Sequence, residues 1–447
     1  MVSISSHDVF TPPAPYPGST DLSLFQKLSQ NPKSQIANLP ARVYDADAWK
    51  PPLPGMPLFI MAPDLIKTVL LDQADQFPHG ALFERIMKPA WGDGLLLSQG
   101  DDWKTQRRAA AQAFRAAGMA AFVPTFVAET EKLTEAWGTK GFERIDLHAQ
   151  MKRLTFNIII ETMLSGAEQI DRDAFRDTVQ AFFADISKLR LSYVFRSDRY
   201  HAGRRSVASA HRSDLVAHIC RLVQLRRSAP PRGDLIDLLL VARDPDTNTT
   251  LSDAQLADNI LGFILAGYET TAAALTWTLY LISEHSPTEM KLLNEYRDAD
   301  GEGVDDLPFT QQVISEALRL YPPAFMLTRV SAKATRLGEH TVKRGQRINI
   351  PIWAIHRNSK IWPRPHVFDP NRFATDQPGP AKYTYMPFGA GPRICIGTAF
   401  ALIEMRSIIA TILPKIRFSP APRSSVWPVT ELALVPRNKI IVGLSKR

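Results

Sequence analysis

Phe388-Gly-Ala-Gly-Pro-Arg-Ile-Cys395-Ile-Gly397 is a glycine-rich loop that contains one of the chain's two cysteines and leads into an apolar helix predicted over Ile396 to Ile412. The oriented amides at a helix N-terminus favour an anion and would stabilise a thiolate at Cys395. Gly391 and Gly397 would let a flat ligand approach the backbone closely. Taken alone, a cysteine before an apolar helix is more often an inert core thiol, so both interpretations stand at this point.

A second unusual segment is the apolar run from Ile260 to Ile282, which contains Ala266-Gly-Tyr-Glu-Thr-Thr271 at its centre. The run is long enough to cross a membrane, but a central carboxylate at Glu269 would be costly in lipid. We therefore predict a core helix that begins near Ser252 and ends near His285. Glycine weakens a helix and a buried glutamate is expensive, which suggests a functional site, although a satisfied buried carboxylate is the alternative.

Two shorter patterns are weak when taken singly. Glu316-Ala-Leu-Arg319 places opposite charges three apart on one helix face, where such pairs are usually exposed. Trp103-Lys-Thr-Gln-Arg107 combines an aromatic residue and a cation four apart on another predicted helix. Ordinary core packing of Trp103 and a solvated Arg107 explain that pattern equally well.

Composition limits the class of protein. Apolar residues make up 45% and charged residues 22% of the 447 residues, which is typical of a globular protein. Two cysteines are too few for a disulfide framework, and a net charge of +8 with scattered Lys and Arg does not indicate nucleic-acid binding. The N-terminus lacks the features of a secretory signal, so we expect a cytoplasmic protein without a membrane span.

The order of predicted elements indicates a mainly α fold with small β-sheets. Residues from Leu65 to about His285 have mostly helical periodicity, whereas the later part mixes helices with short strands such as Arg347 to Ile352. Residues 1–40 are rich in Pro and Ser and are predicted to be a loosely ordered lead-in. We expect a single catalytic domain over residues 41–447.

Phe-x-x-Gly-x-Arg-x-Cys-x-Gly is similar to the haem-binding loop of cytochromes P450. The match includes every defining position, namely Phe388, Gly391, Arg393, Cys395 and Gly397. The segments around Trp103, Glu269, Glu316 and Arg372 resemble family motifs in the family's order, so the resemblance covers roughly residues 40–447. The chain departs from the commoner form at Asn371, where the family often has Glu. The resemblance implies the cytochrome P450 fold, a triangular prism with haem between a long central helix and the Cys-loop helix.

The resemblance also implies a role for each motif residue. The Cys395 thiolate would be the axial ligand of haem b (iron protoporphyrin IX) and would favour O–O cleavage, and Phe388 would cover that ligand. Glu269 and Thr270 would deliver protons beside a helix kink at Ala266 and Gly267. The expected propionate contacts are Arg393, Trp103, Arg107 and Arg329. Glu316, Arg319 and Arg372 would form a structural ion network.

The implied reaction inserts one atom of O2, the co-substrate, into a small to medium-sized apolar substrate. Because the chain ends about fifty residues after Cys395, we expect NAD(P)H electrons to come through a separate reductase and a ferredoxin or flavodoxin partner. The enzyme is expected to be a monomer, with Lys104, Arg108 and Arg115 steering an acidic partner. The expected pocket residues, any of which would serve equally as core, are Phe83, Met87, Phe182, Phe183, Phe263, Ala324, Phe325, Met326 and Val429.

Two alternatives remain open from the sequence. A peroxide-using haem-thiolate enzyme would share the cysteine loop, but such enzymes typically lack an acid–alcohol pair like Glu269 and Thr270. A haem-binding sensor or carrier would bind carbon monoxide and oxidise no substrate. Assays with hydrogen peroxide and with electron donors separate the three functions.

Overall fold

The fold is mainly helical, as predicted, and carries several small sheets. The computed structural model describes residues 10–15, 34–52, 54–138, 143–165, 175–182, 198–299, 306–420 and 426–447. Its helices are α1 (Pro63–Lys67), α2 (Ala81–Trp91), α3 (Gly100–Ala113), α4 (Ala116–Met119), α5 (Val123–Gly138), α6 (Leu147–Met163), α7 (175–182), α8 (Asp198–Arg227), α9 (Leu235–Val241), α10 (Asp253–Glu284), α11 (Ser286–Asp298), α12 (Pro308–Leu320), α13 (Ile352–Ile355) and α14 (Thr398–Ile412).

Within the described residues the strands are short and form four sheets. They are β1 (Ala48–Trp49), β2 (Leu58–Ile60), β3 (Glu143–Asp146), β4 (Leu327–Val330), β5 (Thr335–Leu337), β6 (His340–Val342), β7 (Arg347–Ile350), β8 (Ile416–Ser419), β9 (Pro428–Thr430), β10 (Leu434–Pro436) and β11 (Ile441–Lys446). The largest sheet has the order β1-β2-β7-β4, in which β2 and β7 are parallel and the other pairs antiparallel. The others are β3-β11-β8 and the two-stranded pairs β5-β6 and β9-β10.

Helix α10 begins with the predicted capping box. The Gln255 backbone N–H donates to the Ser252 hydroxyl at 3.3 Å, and the Ser252 backbone N–H donates to the Gln255 side-chain oxygen at 3.0 Å. The helix ends at Glu284, just before Ser286 and Pro287. By length and composition α10 resembles a membrane span, but 78% of its apolar 18-residue stretch is buried inside the protein. Helix α10 is therefore a core helix, as the sequence predicted.

The chain divides into two compact units, and the boundaries between them fall just before helix α2 and within helices α5, α6 and α10. The first unit comprises Met1–Phe77, Phe126–Leu154 and Thr270–Arg447, and strands β1 to β11 lie within it. Its core includes Trp277, whose ring stacks on that of Tyr321 with centroids 4.0 Å apart. The second unit, Pro78–Thr125 and Thr155–Glu269, is helical.

Part of the predicted lead-in is packed on the core of the first unit. Phe10 is buried, and its carbonyl oxygen accepts a 2.9 Å hydrogen bond from the Phe368 backbone N–H. The Tyr321 hydroxyl donates to the Pro13 carbonyl oxygen at 2.6 Å. Proline restricts the backbone, so this segment loses little conformational entropy on packing, and Phe10, Ala14 and the two hydrogen bonds attach residues 10–15 to the unit.

Candidate active site

The Cys395 loop is closed by its own backbone. The Cys395 backbone N–H donates to the Phe388 carbonyl oxygen at 2.9 Å, and the Ile394 N–H donates to the Gly391 carbonyl oxygen at 3.0 Å. Helix α14 begins at Thr398, whose hydroxyl donates to the Cys395 carbonyl oxygen at 2.9 Å. Cys395 is exposed, so its thiol is accessible to a ligand. An inert core thiol would instead be buried.

Two glycines of the loop, Gly391 and Gly397, are required for different structural reasons. Gly391 has φ +75°, and a Cβ added there would lie 2.0 Å from the Leu70 carbonyl oxygen. Close approach of the backbone turn Thr68–Asp72, rather than of a ligand, therefore requires this glycine. A Cβ added at Gly397 would meet no atom within 4 Å, so this side of the loop is open, as a flat ligand needs.

His356 anchors the start of the same loop. Its Nε2 accepts a 2.9 Å hydrogen bond from the Met386 backbone N–H, and its Nδ1 lies 3.2 Å from the Arg319 carbonyl oxygen, to which it donates. Burial, followed by the charge of Arg319, lowers the pKa of His356 to about 3, so the ring is neutral and bridges the two segments. Sequence reasoning missed His356, because one histidine after an apolar stretch is not distinctive.

The predicted ion network is assembled around Glu316. Its two carboxylate oxygens lie 2.6 and 2.7 Å from Nε and Nη2 of Arg319, a bidentate pair with no exposed surface. The Arg319 guanidinium also donates to the carbonyl oxygens of His356 and Pro365, at 2.8 and 2.7 Å. Nε of Arg372 lies 3.5 Å from Glu316. The network therefore fixes the segment that follows His356.

Arg329 lies on β4 and offers a cationic group to an anionic ligand. The residue is buried, and its Nη1 donates to the Thr328 carbonyl oxygen at 2.9 Å. Burial, followed by the charge of Arg393, lowers the pKa of Arg329 to about 10. Within the described part of the chain no carboxylate forms an ion pair with Arg329. Two neighbouring guanidiniums suit a carboxylate ligand, so these residues fit a haem propionate.

Helix α10 has one open face within an otherwise buried stretch. Ala266 and Thr270, which are four residues apart and share a face, are both exposed, whereas Tyr268, Glu269 and Thr271 are buried. The helix is unbroken at Gly267, where the resemblance implied a kink. A Cβ at Gly267 would lie 3.3 Å from Ile159 Cδ1 on α6. This glycine therefore serves the contact with α6.

Trp103 and Arg107 are both half-buried and one helical turn apart on α3. The buried Gln106 between them accepts a 2.8 Å hydrogen bond from the Asn259 side-chain amide, which fixes α3 against α10 within the second unit. Arg108, expected to steer a partner, instead forms two 2.7 Å hydrogen bonds to Asp244. These bonds hold the pKa of Asp244 well below its usual value, so Arg108 is committed to an internal pair.

The expected pocket residues differ in accessibility. Phe182 has no exposed surface, Val429 packs with Ala273, Ala433 and Val435 in a core cluster, and Phe183 lies outside the described residues. Met87 and Phe325 are also buried. The residues with accessible surface are Phe83, Phe263, Ala324 and Met326.

The comparisons with known proteins agree with these features. The cytochrome P450 family model matches residues 12–444. The chain is 30% identical over 423 residues to the cyclooctat-9-en-7-ol 5-monooxygenase of Streptomyces melanosporofaciens, covering 92% of this chain and 90% of the relative. It is also 30% identical to the cytokinin hydroxylase of Arabidopsis thaliana, covering 85% and 77%. The crystal structure of the cytochrome P450DA haem domain superimposes with TM-score 0.81 at 22% identity, covering 98% of each chain.

The chain belongs to the cytochrome P450 family. It therefore has the P450 fold and is an oxidoreductase of the monooxygenase class, whose members bind haem and incorporate oxygen from O2.

Proposed function

We propose that this enzyme inserts one oxygen atom from O2 into a small to medium-sized apolar substrate, with Cys395 as the ligand of the haem iron. The observation that carries the proposal is the exposed Cys395 thiol at the N-terminus of α14, in a loop that is open beside Gly397. A single thiolate ligand at a helix N-terminus is the donor that a haem-thiolate enzyme needs. When bound, the haem supplies the activation of dioxygen, which side chains do not perform.

The remaining residues orient the cofactor. The guanidiniums of Arg329 and Arg393 would bind a propionate, because the charge of Arg393 lowers the pKa of Arg329 and a carboxylate between them would offset part of this repulsion. Trp103 and Arg107 are proposed as further propionate contacts. Glu316, Arg319 and Arg372 hold the segment that reaches the Cys395 loop through His356.

Glu269 and Thr270 are proposed to move protons. The Thr270 side chain is on the open face of α10. The preceding residue, Glu269, is buried. A hydroxyl of this kind donates a hydrogen bond and is re-protonated by a carboxylate that exchanges with water. This pair favours the O2-dependent reaction over a peroxide-dependent one.

The substrate class rests on apolar surface. Phe263 and Ala266 on α10, and Ala324 and Met326 before β4, have accessible surface. The names of two relatives identify cyclooctat-9-en-7-ol and a cytokinin as the molecules that they oxidise. An apolar molecule of similar size is the proposed substrate.

The electrons are proposed to come from NAD(P)H through a separate ferredoxin or flavodoxin system. The 447 residues contain two cysteines, fewer than the four ligands that an iron–sulfur cluster takes. We propose a cytoplasmic, monomeric enzyme without a membrane span; the burial of α10 supports only the last of these three properties.

The test uses holoprotein, NADPH, a surrogate ferredoxin with its reductase, and substrates chosen by their shift of the ferric haem to high spin. The expected result is a product that contains one atom of oxygen-18 from labelled O2. Product formation that requires hydrogen peroxide and does not depend on the reductase would indicate the peroxide-using function. Carbon monoxide binding without any product would indicate the sensor.

A further inference from the structure

A side chain on α6 contacts the α10 peptide group that precedes Glu269. The Thr155 hydroxyl donates a 2.9 Å hydrogen bond to the Tyr268 carbonyl oxygen, and both groups are buried. This carbonyl belongs to the same peptide group as the Glu269 backbone N–H. A carbonyl oxygen has two lone pairs, so it accepts from Thr155 in addition to its donor within the helix.

The packing around this hydrogen bond is close. The absent side chain of Gly267 admits Ile159, and the ring of Phe156 meets that of Tyr268 edge-on with centroids 5.7 Å apart. Thr155, Phe156 and Ile159 thus form one face of α6 against two successive residues of α10. Because both groups are buried, this hydrogen bond is electrostatically stronger than it would be in water.

The effect on α10 follows from helix geometry. A donor from a neighbouring helix draws a carbonyl oxygen away from the helix axis and lengthens its bond within the helix. Such a tilt at Tyr268 would change the direction of the next side chains along the chain, those of Glu269 and Thr270. The open face of the helix begins at this turn, since Ala266 and Thr270 are exposed there.

We propose that Thr155 is a positioning residue for the proton-delivering pair Glu269 and Thr270. Its hydroxyl holds the peptide between Tyr268 and Glu269 in the tilt that orients the carboxylate and the Thr270 hydroxyl. Thr155 itself transfers no proton. This inference rests on the proposed monooxygenase function.

Thr155→Val is the decisive variant, because valine keeps the size of threonine and removes the donor. Thr155→Ser keeps the donor and loses a methyl group. The matched control is Thr162→Val on the same helix, since Thr162 is equally buried but donates to Ile158 within α6 at 2.8 Å. A second variant, Thr155→Ala, removes the donor without the bulk of valine.

Two readouts are measured on holoprotein. In turnover with the surrogate reductase, Thr155→Val and Thr155→Ala should lose at least twice as many electrons to hydrogen peroxide as the wild type does. In the reduced carbon monoxide complex, without turnover, the infrared band of the bound gas should shift or split in both variants. Thr155→Ser and Thr162→Val should match the wild type in both measurements.

The inference is overturned if Thr155→Val behaves like Thr162→Val, or if Thr155→Ser is as impaired as the valine variant. It is also overturned if neither Thr155→Val nor Thr155→Ala binds haem, because the role would then be structural. Thr270→Ala is measured in parallel. If Thr270→Ala loses no extra electrons to peroxide, the proposed proton delivery fails, and with it this inference.

Discussion

Gly391→Ala tests the close approach of two backbone segments beside Cys395. A Cβ at this position would lie 2.0 Å from the Leu70 carbonyl oxygen, whereas such contacts essentially never fall below 3.0 Å. The segments would therefore have to separate by about 1 Å, which in a packed structure costs about 1 to 3 kcal/mol. The φ of +75° adds about 1 kcal/mol for a residue with a Cβ. The expected loss of stability is about 2 to 4 kcal/mol.

Gly345→Ala is the matched control for this prediction. Gly345 has φ +78° in the turn before β7, but a Cβ there would meet no atom within 4 Å. Gly345→Ala should therefore lower the free energy of unfolding by only about 1 kcal/mol. The assay is urea unfolding of both holoproteins, together with the fraction of protein that shows the thiolate-haem carbon monoxide spectrum. Equal losses in the two variants would refute the argument from the Leu70 contact.

Three further predictions concern groups near the Cys395 loop. Because burial lowers the pKa of His356 from 6.5 to about 3, its neutral form stabilises the fold above pH 6.5, and stability is lost as the pH falls toward 3. Urea unfolding should show a loss of about 2 kcal/mol between pH 7 and pH 5 that is absent in His356→Gln. Glu316→Gln should cost about 3 to 5 kcal/mol by breaking a buried pair, whereas Glu131→Gln, at the exposed pair with Lys415, should cost less than about 1 kcal/mol; similar urea midpoints would contradict this. Arg329→Met should weaken haem binding about tenfold to a hundredfold in haem-transfer assays without destabilising the apoprotein, and unchanged haem affinity would exclude a propionate contact.

Contacts between residues of the same motif were predictable, because residues a few positions apart in sequence are also close together in a helix or a tight loop. The cysteine loop, the Glu316–Arg319 pair and the capping box at Ser252 each depend on residues a few positions apart, and the structure places them together. The alternation of helices and short strands likewise follows from local periodicity. The mainly α fold with small sheets was therefore accessible from the sequence.

Long-range contacts were not predictable in the same way. Gly391 lies against Leu70, which is far away in sequence. From the sequence alone, this glycine was therefore explained by the approach of a ligand instead. Arg108 was assigned to a partner surface because nothing near it in sequence reveals Asp244. Thr155 carries no motif at all, and only the packing of α6 on α10 shows what its hydroxyl contacts. Tertiary packing decides such assignments.

The carbon monoxide difference spectrum of the reduced holoprotein tests the central claim most directly. The wild type and Cys220→Ser, in which the other cysteine of the chain is replaced, should both show the strongly red-shifted Soret band of a thiolate haem. Cys395→Ser should lose that band. If Cys395→Ser retained the band, or if Cys220→Ser lost it, Cys395 would not be the ligand of the iron.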